Sequence, residues 1–123
     1  AKINGDLGEL NKKSAQTIQK ISEQIENGEY QDQFPIDIYQ TGSGTSSNMN
    51  MNEVIANIAG ENIHPNDDVN HGQSSNDTIP TAIRLSVVSE TKDTLLPTLE
   101  NFQKTLQEKV REGKNVLLNG RTH

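Results

Sequence analysis

Apolar positions recur at helical spacing through most of the chain. Between about Asp6 and Asn27, Leu10, Ile18, Ile21 and Ile25 fall on one face, Lys and Glu fill the others, and Gly28 stands where a left-handed cap would end the helix. This spacing predicts one amphipathic helix. Phe34, Ile36 and Ile38 alternate around Pro35, which predicts an extended entry into a polar segment, because the residue before a proline is pushed out of the helical region. A short helix is expected near Ser47 to Ala59, capped by an Asn50/Glu53 box or by Thr45 or Ser46. Helical spacing resumes from Pro80 through Ile83, Val87 and Val88 until Pro97, where a kink or break is expected, since an interior proline costs about 3 kcal/mol. Leu95, Leu99, Phe102, Leu106 and Val110 then step by four, three, four and four, the seam of a helix lying along others in a bundle, with Gly113 as its end. Val116, Leu117 and Leu118 read as extended, before an Asn119-Gly120 turn and the final Arg121, Thr122 and His123. The expected fold class is mainly α.

Composition limits what this pattern can build. The 123 residues suit one domain, but only 30% are hydrophobic and 3% aromatic, with a mean hydropathy of −0.76. Leu, Ile, Val and Phe make up roughly 23% of the chain, just above the level at which disorder becomes the default. The apolar stripes are therefore expected to be completed by other chains, or by chain beyond this sequence. A net charge of −6 and a pI near 4.9 argue against nucleic-acid binding, which needs a basic face. Without cysteine there are no disulfides and no thiolate chemistry, and the histidines are too irregularly spaced to form a metal motif. No long apolar run marks a membrane span, and no signal peptide is visible. The chain begins at Ala1 rather than methionine, so the natural N-terminus is expected to lie upstream.

Candidate chemistry sits in two polar segments, Thr41 to Asn52 and His64 to Asp77, each leading into a helical pattern. Small hydroxyl and glycine residues ahead of a helix leave amide N–H groups outward, where the helix dipole favours an anion. A carboxylate or phosphate is the ligand class this predicts. Asn48, Asn50, Asn52 and Asn57 crowd one short helix although asparagine is a weak helix former, and Asn48 and Asn52 lie one turn apart, able to reach one partner. Simpler roles stand beside these. Any of Ser74, Ser75, Asn76 and Asp77 could cap the helix through Pro80, His64 could be an ordinary loop histidine before Pro65, and His123 taken alone carries no assignment.

Four stretches in order, Gln40 to Glu53 (QTGSGTSSNMNMNE), His64 to Asp68 (HPNDD), Gln73 to Pro80 (QSSNDTIP) and Gly120 to His123 (GRTH), resemble the class II fumarases of the fumarase/aspartase superfamily. The resemblance covers nearly the whole chain. It implies an N-terminal helical domain over residues 1–76 and the start of a central helical bundle over 77–123, in a chain that stops before the family's midpoint. It also implies that Ser43, Gly44 and Thr45 form one substrate loop, Ser74, Ser75 and Asn76 a second, and Thr122 a further contact. His123 matches the histidine assigned to proton transfer through a bound water, and His64, Pro65, Asn66 and Asp67 match a secondary carboxylate site.

The reaction so implied is reversible hydration of fumarate to L-malate, a citric acid cycle step, without metal or cofactor. Thr41 to Thr45 reads Thr-Gly-Ser-Gly-Thr as in fumarases, whereas aspartases usually carry Gly-Gly-Ala-Gly-Thr, which leaves aspartate ammonia-lyase as the alternative inside the superfamily. A non-catalytic carboxylate-binding module and a helical assembly fragment are the alternatives outside it. Departures from the pattern are Ile58 where arginine is common, a short link from Gly60 to His64, and His71-Gly72 in place of Lys-Ser or Met-Ser. The family's Gly-Ser-Ser loop followed by Met-Pro-x-Lys-x-Asn is not in these residues. Because the family draws each active site from three subunits of a homotetramer, with the two substrate loops expected from separate subunits, this chain alone is expected to be inactive. The expected compartment is the cytoplasm, with mitochondria not excluded.

Overall fold

The computed structural model describes residues 1–40, 42–117 and 119–120, and it is mainly α, with no strand among them. The helices are α1 (Lys2–Leu7), α2 (Lys12–Glu26), α3 (Thr45–Ala59), α4 (Ser75–Glu90) and α5 (Leu96–Gly113). The chain divides into two compact units, Ala1–Ala82 and Ile83–His123.

In the first unit the helix expected from Asp6 to Asn27 is two helices. Gly8 adopts a left-handed φ of 81° and ends α1, and the Asn11 side chain starts α2 by accepting the Lys13 N–H at 2.8 Å. A C-cap and an N-cap placed this close together break the run. The apolar stripe survives the break: Leu10, Ala15, Ile18 and Ile21 are buried with Ile55, Ala56 and Val69 in one core. Burial of each large aliphatic side chain contributes about 1.5–3 kcal/mol before the entropy of ordering it. A Cβ on Gly5 would lie 2.8 Å from Ala15 Cβ, so α1 packs on α2 through bare backbone. At the far end of α2, Gly28 follows in the left-handed region at φ 91°, where a stop was expected.

Phe34 to Asp37 run without regular structure, and α3 begins at Thr45, two residues ahead of the expected start. Its core-facing residues are Asn48, Asn52, Val54, Ile55 and Ala56. The segment Pro65–Val69 forms one wide helical turn packed on α3 and contributes Val69 to the core.

The second unit contains the rest of α4, a wide turn at Thr91–Leu95 and α5. Pro97 sits in the first turn of α5, and the Leu96 N–H reaches back to the Thr91 carbonyl, five residues away. The helical path widens ahead of the proline and continues. Widening relieves the clash of the ring with the preceding turn and absorbs the missing N–H. α5 ends at Gly113, and the seam from Leu95 to Val110 is regular but uncovered in the chain alone, with Phe102 59% exposed. Among the described residues no helix is long and apolar enough to cross a membrane.

Candidate functional site

The first loop is built on reversed backbone. Asp37 Oδ1 accepts the Tyr39 N–H at 2.8 Å and the Gln40 N–H at 3.4 Å, Gln40 itself has a φ of 36°, and Gly42 and Gly44 both sit at φ 81°. Gly44 is the N-cap of α3 and supplies no side-chain cap. Gln40 does that work instead: its Oε1 accepts the Ser47 N–H at 3.1 Å, and its Nε2 donates to Ser47 Oγ. Ser43 Oγ donates to Thr45 Oγ1 at 3.2 Å, which sets the two hydroxyls side by side at the helix start.

The second loop selects Ser74 from the four possible caps. Ser74 Oγ accepts the Asn76 N–H at 3.2 Å, and its carbonyl accepts the Asp77 and Thr78 amides at 3.0 and 2.9 Å. Ser75 and Asn76 therefore occupy the first turn of α4, where their side chains are free of capping duty. Both loops already use amides that an anion would otherwise take, those of Ser47 and Asn76. The Thr45 and Ser75 hydroxyls and the Asn76 carboxamide, aided by two helix dipoles, are the principal donors that these bonds do not commit.

Gly44 brings the loops together. A Cβ built there would lie 2.5 Å from Ile79 Cγ2, so the backbone at the start of α3 lies directly on the second turn of α4. Within this chain the start of α3 and the second turn of α4 therefore lie against each other. A side chain at position 44 would have pushed them apart.

His64 caps the wide turn rather than facing outward unengaged. Its Nδ1 accepts the Asn66 and Asp67 N–H groups at 3.3 Å each, and its own N–H donates to Asp68 Oδ2 at 2.7 Å. Asp67 Oδ2 is also 3.3 Å from Nδ1, but a nitrogen accepting amide protons has no proton to offer a carboxylate. That contact is not an ion pair while the amides are bound. The amides of Asn66 and Asp67 are thereby occupied by the imidazole. Pro65 begins the turn, where its missing N–H costs nothing.

No Lys or Arg occurs from Ile21 to Ile83, while the same stretch carries Asp32, Asp37, Glu53, Asp67, Asp68 and Asp77. A dianion bound at these loops would gain hydrogen bonds but no neighbouring cation from that stretch. The donors present can hold and polarise a carboxylate; among the described loop residues there is no base placed to take a proton from carbon. Thr122 and His123 lie outside the described residues, so the loops are the described part of the expected site. Asn48 and Asn52 are each only 7% exposed and line a depression of about 400 Å³ between α2 and α3, with Ile18, Ile55 and Gln73. Gln40 and Ile79 were not marked by any local signal: one acts seven residues away and the other from a different helix.

A family model described as lyase matches residues 1–123. The chain is 50% identical over 127 residues to the class II fumarate hydratase of Saccharolobus solfataricus, covering all of this chain and 29% of that protein. It is 46% identical over 133 residues to that of Rickettsia felis, again covering all of this chain and 29% of the relative. With the enzyme of the same name from Mycobacterium tuberculosis the identity is 48% over 126 residues, covering all of this chain and 27% of the relative. The chain therefore spans less than a third of the length of the curated relatives it matches. The order of loops, their shared helical framework and a match running from the first residue to the last lead to one conclusion: this chain belongs to the lyase family, and the relatives it resembles there are class II fumarate hydratases.

Proposed function

We propose that this chain is part of a fumarate hydratase, a hydro-lyase that adds water reversibly to fumarate to give L-malate. The observation that carries the proposal is the similarity to class II fumarate hydratases along the full chain, Thr-Gly-Ser-Gly-Thr loop included. Ser43, Gly44 and Thr45, with Ser74, Ser75, Asn76 and Thr122, bind the dicarboxylate. His123 moves a proton to or from the water and the leaving hydroxyl.

The chemistry explains why hydroxyls and helix starts suffice for this part of the site. Removing a proton beside a carboxylate places a second negative charge on it in the transition state, and fixed donors stabilise that charge more than the ground state. A histidine titrating near neutrality suits the oxygen proton transfers. The half-exposed face of Leu95, Leu99, Phe102, Leu106 and Val110 supports assembly into a homotetramer through a helical bundle, with residues 1–76 as the N-terminal domain and 77–123 as the start of that bundle. His64, Pro65, Asn66 and Asp67 form a secondary carboxylate site. The compartment is the cytoplasm, and the reaction is a citric acid cycle step.

The test is kinetic. The full-length protein should consume fumarate and form malate, seen as loss of fumarate ultraviolet absorbance, while the purified 123-residue chain shows none. His123→Asn in the full-length protein should lower kcat roughly 100-fold or more. Ammonia release from aspartate without fumarate hydration would replace the proposal with the ammonia-lyase reading.

A further inference from the structure

We propose that Asn48 and Asn70 are positioning residues that set the spacing between the two substrate loops. The proposal rests on the assignment of Ser43 to Thr45 and Ser74 to Asn76 as those loops. Asn48 is one of two buried polar side chains among the described residues, at 7% exposure, on a helix that also buries Asn52, Val54, Ile55 and Ala56. Its N–H donates to the Gly44 carbonyl at 3.0 Å, tying it to the first loop. Its Nδ2 donates to Asn70 Oδ1 at 3.4 Å, and Asn70 Nδ2 donates to the Gln73 carbonyl at 3.4 Å. Gln73 is the residue before Ser74, the cap of α4.

The path is therefore continuous from Gly44 through the Asn48 and Asn70 carboxamides to the peptide that enters the second loop. Both side-chain bonds are long, so neither is strong alone, but the orientation of Asn70 is over-determined. Exchanging its oxygen and nitrogen would point N–H at N–H on one side and oxygen at oxygen on the other. Backbone bonds brace the same residue: the Asn70 N–H donates to the Pro65 carbonyl and the Gln73 N–H to the Asn70 carbonyl, both at 3.0 Å. The Gln73 side chain adds a bond to the Val69 carbonyl at 3.2 Å. A shift of Gln73 moves Ser74, and with it the amides of Asn76, Asp77 and Thr78 that Ser74 holds. Asparagine suits both positions because its carboxamide donates and accepts at once; an aliphatic residue would fill the space at 48 without fixing the loop.

The experiment uses the full-length enzyme with Asn70→Leu, which keeps the number and branching of side-chain heavy atoms and removes both bonds, and Asn70→Ser, a smaller polar change whose hydroxyl is too short to span the gap. Asn50→Leu is the control, since Asn50 lies on α3 with Asn48 and loses a comparable bond, Nδ2 to the Gln33 carbonyl at 3.0 Å, on a path that does not reach α4. KM and kcat for fumarate are measured together with amide exchange at Asn76, Asp77 and Thr78. Both Asn70 variants should raise KM about tenfold, more than they change kcat, and should speed exchange at those amides, whereas Asn50→Leu stays within about twofold of wild type in KM. Unchanged KM and unchanged exchange in either soluble Asn70 variant would overturn the proposal, as would an equal rise in KM for Asn50→Leu. If the unmodified enzyme does not hydrate fumarate, the functional assignment fails, and the exchange measurement still decides whether Asn70 holds the loop.

Discussion

Gly42 and Gly44 form an internal experiment, because they share a φ of 81° and differ in what surrounds them. A Cβ on Gly42 would meet nothing within 4 Å, whereas one on Gly44 would lie 2.5, 3.0 and 3.1 Å from Cγ2, Cγ1 and Cβ of Ile79. Alanine at either position takes on the left-handed penalty of about 1–2 kcal/mol. Alanine at 44 adds the cost of overpacking, about 1–3 kcal/mol, because Ile79 is β-branched in a helix and has one strongly preferred rotamer. Rotation cannot remove the contact with Cβ itself. Urea denaturation followed by helical circular dichroism should therefore show Gly42→Ala losing about 1–2 kcal/mol and Gly44→Ala about 2–5 kcal/mol. In an Ile79→Ala background, which removes Cγ1 and Cγ2 but keeps Cβ at 3.1 Å, the cost of Gly44→Ala should fall most of the way to the Gly42→Ala level, giving a coupling energy somewhat below the difference between the single variants. Equal losses in the two glycine variants, or no coupling to Ile79, would refute the packing of the first loop on α4.

Three further outcomes follow from the local geometry. Gln40→Ala removes the amide that accepts the Ser47 N–H, and should destabilise the chain by about 1 kcal/mol in the same denaturation assay, as loss of an N-cap does. Ser74→Asp should keep α4 capped and stability within about 0.5 kcal/mol of wild type, yet weaken dicarboxylate binding in the full-length enzyme by placing a like charge at the loop; Ser74→Ala should lose about 1 kcal/mol of stability. Gly5→Leu should destabilise by about 1–3 kcal/mol because the Cβ would stand 2.8 Å from Ala15 Cβ, and Ala15→Gly should recover part of the loss.

Much of the framework was written in local signals. Helical spacing located α2, α3 and the seam of α5, and Gly28 and Gly113 stand at the helix ends they marked. Periodicity missed the break at Gly8 to Asn11 for a specific reason. Leu10 and Ile18 are eight residues apart, which suits one continuous helix, and Leu10 reaches the same core from the connection. Pro97 was visible as a disturbance, but the response, a widened turn instead of a break, depends on which carbonyls the preceding amides can still reach.

The residues of the candidate site divide the same way. Glycine, serine and threonine ahead of α3 and α4 identify anion-binding helix starts from chemistry that each segment carries within itself. Ser74 caps α4 through the Asn76 amide two residues on, whereas the loops meet through partners distant along the chain: Ile79 against Gly44, and Asn70 on Asn48. Caps and periodicity involve residues a few positions apart, so a linear pattern contains them. Close approach between two helix starts is a matter of core packing, and only the folded chain selects it.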